Sequence, residues 1–145
     1  MDFCVDSNIL IYIVNDLSPF HINTSKAILA ISSRGDKLMV FPQNLVEFWA
    51  VATRPIAANG LGMTIAQTEH EIENFKNTFS ILAETPAIYP EWERLVVAHN
   101  VSGKNVHDAR IVAQMNVHSL TNILTYNTKD FSRYANIEAV DPASV

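Results

Sequence analysis

Three carboxylates and one polar loop are the positions in this chain best suited to chemistry: Asp6, Glu47, Asp108 and residues 125–131. Asp6 follows the apolar run Phe3-Cys4-Val5 and precedes Ser7-Asn8, so it sits where a buried strand gives way to a helix. A carboxylate there reads either as a metal ligand on the floor of a cleft or as an N-cap, with Asp6 or Ser7 accepting backbone N–H bonds from the following turn. Glu47 lies within Gln43-Asn44-Leu45-Val46-Glu47-Phe48-Trp49-Ala50-Val51. Helical spacing puts Gln43 and Glu47 on one face, with Arg54 about two turns below Glu47. A carboxylate on so apolar a helix is costly unless something positive meets it. That partner is either Arg54, in an ion pair or a satisfied polar rim, or a metal ion.

Asp108 falls in Asn105-Val106-His107-Asp108-Ala109-Arg110. If Asn105 caps a helix here, Asp108 stands in its first turn, where the helix dipole alone favours a negative charge. The apolar residues that follow, Ala109, Ile111, Val112, Ala113 and Met115, pin it close to the sheet ends. His107 reads as a base, a ligand or a polar rim residue, with the rim preferred; His21, His70, His99 and His118 show no spacing of a zinc site. In Thr125-Tyr126-Asn127-Thr128-Lys129-Asp130-Phe131, directly after Ile123-Leu124, Asn127 and Asp130 are candidate polar ligands. Phe131 anchors that loop, and loop polarity alone accounts for Thr128 and Lys129.

For these residues to meet, the elements must bring strand ends together. Strands are expected at 3–5, 38–41, 122–125 and 137–140. Helices are expected from residue 9 to 14 and at 24–33, 43–53, 64–81, 91–99 and 106–117, with a glycine-bearing loop at 57–63, an extended segment at 86–89 and a helical turn at 130–134. Short apolar strands alternating with helices are the pattern of an α/β domain with a mostly parallel sheet. In such sheets ligands bind beyond the carboxyl ends of the strands, where Asp6, Glu47, Asp108 and the 125–131 loop are expected to gather. Like charges brought together repel and hold protons more tightly unless a cation neutralises them. No lysine or arginine stands within these acidic motifs as an evident partner. An all-oxygen set suits Mg²⁺ or Mn²⁺ over zinc, and phosphodiester hydrolysis is a well-known use of such a site.

The chain has 145 residues, 48% hydrophobic and 17% charged, which fits one domain over 1–145 with a sizeable core. Fifteen acids against ten bases give a net charge of −5, which excludes a protein that coats nucleic acid through overall positive charge. Cys4, alone of its type, reads as a buried inert thiol. The start Met1-Asp2-Phe3 is acidic, the first lysine is Lys26, and the apolar run 9–14 is too short to span a bilayer. The expectation is a soluble cytoplasmic domain.

The ordered set Val5-Asp6-Ser7-Asn8-Ile9-Leu10, Leu45-Val46-Glu47-Phe48 with Thr53-Arg54-Pro55, His107-Asp108-Ala109 and 123–131 resembles the PIN-domain ribonucleases, and within them the VapC-type toxins of toxin–antitoxin pairs. The stretches run in family order over positions 5 to 131. The resemblance implies a three-layer α/β/α sandwich around a short, mostly parallel sheet. It implies Mg²⁺ or Mn²⁺ held by Asp6, Glu47 and Asp108, the family's first three acidic positions by match. Asp6 and Asp108 would bind the ion directly, and Glu47 would complete the shell or orient the attacking water. The family's frequent fourth acid stands here as Asn127, which offers a carbonyl oxygen and no charge; Asp130 is a possible additional ligand. Further implications are an RNA substrate, a small antitoxin partner that blocks the cleft, and a homodimer. Phosphate contacts would fall to local cations such as Arg54, Lys104, Arg110, Lys129 and Arg133. Trp49 and Trp92 read as core residues ahead of base-stacking ones.

Two other readings compete. A phosphoacceptor signalling domain also places an aspartate after a parallel strand, but Asp6 has no adjacent acid, the 38–41 strand runs into Pro42, and Lys129 lies four residues past Thr125. Haloacid-dehalogenase-like chemistry wants an acid where Asn8 stands, and no Gly-rich Lys-Ser/Thr loop supports nucleotide binding. A catalytically weak PIN-like module that binds RNA or protein keeps the fold without the chemistry, and Asn127 is the residue that favours it.

Overall fold

A computed structural model describes residues 1–145. The strands are β1 (Phe3–Val5), β2 (Leu38–Val40), β3 (Ser80–Ile81), β4 (Asn122–Leu124) and β5 (Glu138–Val140). The helices are α1 (Ser7–Val14), α2 (His21–Ser33), α3 (Pro42–Thr53), α4 (Ile65–Thr78), α5 (Ile88–Ala98) and α6 (Asn105–Val117). All strand pairings are parallel, in the order β3-β2-β1-β4-β5.

The strands are buried because both sheet faces are covered, and alternation along each strand divides its side chains between two cores. Phe3, Val5, Leu38, Val40 and Leu124 point to one face, where they meet Ile9 and Leu10 of α1, Ala27 and Ile31 of α2, Phe48 and Ala52 of α3 and Phe75 of α4. Cys4 and Ile123 point to the other, against Ile88 and Leu95 of α5 and Ile111, Val112 and Met115 of α6. The expected α/β/α sandwich is therefore what forms, four helices on one face and two on the other. No helix is long and apolar enough to cross a membrane.

The strand order reverses at β1. The chain steps outward through β2 and β3, then returns to place β4 against the other side of β1. Ligand crevices form at such a reversal. The register pairs Val5 with Leu124, so the next residues, Asp6 and Thr125, emerge side by side at the carboxyl end of the sheet.

Four expectations at element level need correction. The helix expected over 64–81 ends at Thr78, and Ser80–Ile81 instead form β3 on Met39 and Val40. Phe79 and Leu82, whose spacing from Phe75 continues the helical pattern, lie beyond the helix and pack into different cores. The segment 86–89 is not extended throughout, because α5 already begins at Ile88; Pro90 fits its first turn, where an N–H has no helical partner. Asn105 does not cap α6: Lys104 is the cap residue, without a side-chain bond, and Asn105 is the first helical residue. The helical turn expected at 130–134 forms earlier, at Thr128–Phe131.

Candidate active site

Of the two roles its position allowed, Asp6 visibly fills the N-cap. It is the N-cap of α1, its Oδ1 accepting the Ser7 N–H at 2.8 Å, and it is 7% exposed at the sheet end. Its Oδ2 accepts the Thr125 hydroxyl at 2.7 Å and the Asn8 amide at 3.3 Å. Thr125 in turn accepts N–H groups from Asn8 (3.2 Å) and from the backbone of Asn127 (3.0 Å), and Asn8 Oδ1 accepts the Tyr126 N–H at 3.3 Å. The loop after β4 is thus tied to the first turn of α1, and a single acid orients the joint.

Glu47 projects from α3, which starts directly after β2 with Pro42 at its first position and Asn44 accepting the Phe41 N–H at 2.9 Å. The Glu47–Arg54 pair allowed by spacing does not form; Arg54 is exposed and stands away from the cleft. The partner of Glu47 is Gln43, one turn earlier, whose Nε2 donates to Glu47 Oε1 at 3.1 Å. Asp108 is in the first turn of α6, half-buried.

Glu47, Asp108, Asn127 and Asp130 line one cleft of about 740 Å³; Asp6 is not part of the lining, but it is near enough for its charge to act on Glu47 and Asp108. Lys104, His107 and Arg110 stand on its walls; Lys129 is exposed outside it. Arg110 is held by Glu84, at 3.3 Å, and by Gln43 Oε1, at 3.0 Å. Trp49 and Trp92 are each half-buried. Trp92 donates its ring N–H to the Val106 carbonyl at 2.8 Å, while Trp49 lines an apolar hollow with Leu45, Val46, Ala50 and Ile72.

Charge is poorly compensated in this cleft. None of the molecule's ion pairs includes Asp6, Glu47, Asp108 or Asp130. Burial pushes the Asp6 carboxyl up from its ordinary value against the Thr125 and Ser7 hydrogen bonds, and the Asp130 charge adds to the rise. Burial also raises Glu47, opposed by the Gln43 hydrogen bond and reinforced by Asp6. Asp108 is pushed up to about 7, by burial first and then by the charges of Asp6, Asp130 and Glu47, with Lys104 opposing. Acceptor-only oxygens on one buried acid and two half-buried ones that repel each other fit a hard divalent cation. No three His, Cys, Asp or Glu side chains stand close enough together to hold a metal ion as one group. Mg²⁺ does not require such a group, since it keeps several waters and takes one or two carboxylates.

Sequence reasoning missed several members of this site. The sequence marks Gln43 only through the helix face it shares with Glu47. Thr125 had one available signal, its place one residue past a strand that pairs with β1. Glu84 and Asn105 also line the cleft. Glu84 comes from the segment after β3, and nothing in its own sequence neighbourhood marks it.

The fold has known counterparts. The chain of VapBC2 from Rickettsia felis, solved bound to a DNA fragment from its promoter, superposes with a TM-score of 0.74 at 14% identity, covering 97% of this chain and 98% of that one. VapBC-1 from nontypeable Haemophilus influenzae gives 0.72 at 19% identity, with 98% of each chain covered. VapC20 from Mycobacterium tuberculosis, a sarcin–ricin loop cleaving toxin, gives 0.68 at 13% identity over 91% of this chain and 95% of that one. No curated protein matches the sequence. The family model of the PIN domain matches residues 3–137, nearly the whole chain, and the protein belongs to the PIN-domain family.

Proposed function

We propose that this chain is a divalent-metal-dependent endoribonuclease, the VapC-type toxin of a toxin–antitoxin pair. The observation that carries the reading is the set of acids Asp6, Glu47, Asp108 and Asp130 at the strand reversal, with no basic side chain paired to any of them. The family membership and the shared fold with toxin chains of VapBC pairs support it.

A bound Mg²⁺ or Mn²⁺ ion supplies Lewis-acid charge to a phosphodiester and eases loss of a proton from water. Asp6 and Asp108 would hold it, with Glu47 completing the shell or orienting the attacking water. The chain's own contribution is position and exclusion. Thr125, Asn8 and Ser7 fix Asp6, so its carboxylate is already held in one orientation before an ion binds. Asn127, at the cleft wall, offers an amide that supports the same water or a second ion. Lys104 stands at the rim without an ion-pair partner and serves the RNA backbone, whereas Arg110 is already engaged by Glu84. The reading treats 1–145 as one domain acting in the cytoplasm, as a homodimer, with a small antitoxin that blocks the cleft.

The test is incubation of a mixed RNA pool with purified protein in Mg²⁺, Mn²⁺ or EDTA, beside Asp6→Asn and Asp108→Asn. Metal-dependent cuts that fall by more than about 100-fold in either variant support the assignment, since losing a ligand costs more than the 10–100-fold typical of outer-shell partners. Cleavage by either variant at the wild-type rate removes that acid from the site. A second reading rests on Asn127, whose neutrality leaves the cleft one charge poorer than the family pattern: a module that binds RNA or protein without cutting. Intact RNA retained by folded protein under every metal would establish it.

A further inference from the structure

We infer that Gln43 is a positioning residue, holding the Glu47 carboxylate in place across the gap between α3 and α6; the inference rests on the metal-nuclease reading above. Every polar atom of the Gln43 side chain is used. Its Nε2 donates to Glu47 Oε1 at 3.1 Å and to the His107 carbonyl at 3.0 Å. Its Oε1 accepts Arg110 Nη1 at 3.0 Å and Gln114 Nε2 at 2.8 Å.

The orientation of this amide follows from its neighbours. A carboxylate and a carbonyl only accept, and a guanidinium only donates, so a flipped amide would face three wrong partners. Gln114 is fully buried, and serving Gln43 and the Arg110 carbonyl with Nε2 leaves its Oε1 without a partner. A buried acceptor left unpaired is costly. That cost is tolerated here by a side chain whose visible effect is to hold Gln43. Arg110, clamped on its far side by Glu84, completes the hold. The chain of contacts therefore runs from the buried middle of α6 to the carboxylate on α3, passing the backbone of His107 beside Asp108.

A side chain with four satisfied contacts has one rotamer, and the acid it touches loses most of its freedom to swing. Such outer partners set metal affinity through the ligand they orient. Gln43→Met keeps length and removes both the donor and the acceptor. It is expected to weaken Mn²⁺ binding about tenfold by titration calorimetry, with the urea midpoint recorded to check folding. Two comparisons separate positioning from a general loosening of the helix pair. In a Glu47→Gln background, Gln43→Met should change Mn²⁺ affinity less than twofold, because the group it orients has lost its charge. Val112→Ala, which loosens the packing of α6 in its own core without touching Gln43 or Glu47, should stay within about threefold of wild type. Wild-type affinity in folded Gln43→Met overturns the inference, as do losses for Gln43→Met and Glu47→Gln that simply add. A wild-type protein that binds no Mn²⁺ overturns the metal reading itself, a distinct result from either of these.

Discussion

Asp6 carries two tasks on one carboxylate, and the division between its oxygens makes this possible. Oδ1 caps α1 through Ser7, while Oδ2 takes the Thr125 hydroxyl and the Asn8 amide. One task is capping α1 and the other is tying the loop after β4 to that helix, and together they hold the acid in one orientation. Thr125 is then as much part of the site as the acids are, because its fully buried hydroxyl is the shortest contact Asp6 makes. Thr125→Val preserves volume and removes that donor, leaving Asp6 partly unsatisfied and two N–H groups, from Asn8 and Asn127, without their acceptor. The expected cost is about 1–3 kcal/mol of stability by urea denaturation. RNA cleavage should fall further than that loss of folded protein explains. A variant as stable and as active as wild type would show that Thr125 only fills space.

At the scale of elements, α3 does most to build the site, and its sequence made that partly visible. Its inner face, Phe48 and Ala52, is fully buried, and Phe48 meets Phe75 of α4 edge to face with centroids 4.9 Å apart. Phe48 is the neighbour of Glu47, so the same turn that anchors the helix in the core presents the acid to the cleft. Phe48→Ala should cost about 3–5 kcal/mol, read from the denaturant midpoint. The strands at 3–5, 38–40 and 122–124 were legible because buried parallel strands read as unbroken apolar runs. β3 was not, since its two residues are exposed and join the sheet only through pairing with β2. Its apolar neighbours also sit at helical spacing to α4. The three acids were legible because each stands just past a strand or within the first turns of the next helix. Glu84 and the Gln43–Gln114 contact were not. They depend on α6 lying beside α3, a tertiary fact with no local periodicity to announce it.

For the molecule as a whole, gathering acids at the strand reversal is a liability until a cation arrives, and this gives a test with opposed signs. Asp108 ionises near 3.8 when unfolded and near 7 when folded, so the folded chain holds its proton more tightly. Its contribution to stability is fully present below pH 3.8 and is lost as pH rises through about 7. Protein freed of metal with EDTA should therefore melt at a higher temperature at pH 5 than at pH 8, with Asp6 and Glu47, both shifted the same way, adding to the trend. Asp108→Asn removes the charge, and its metal-free melting temperature at pH 8 should rise above that of wild type, while at pH 5 the gap should be smaller. Mn²⁺ should reverse the order. At 100 times its dissociation constant a ligand stabilises by about 2.7 kcal/mol, which for a chain of this size is a rise of roughly 6–10 °C, and Asp108→Asn should forfeit most of it. A site that only supported the fold would lose stability on that substitution at every pH and with or without the ion. One that gives up stability to hold a cation gains when the acid is removed, and only in the cation's absence.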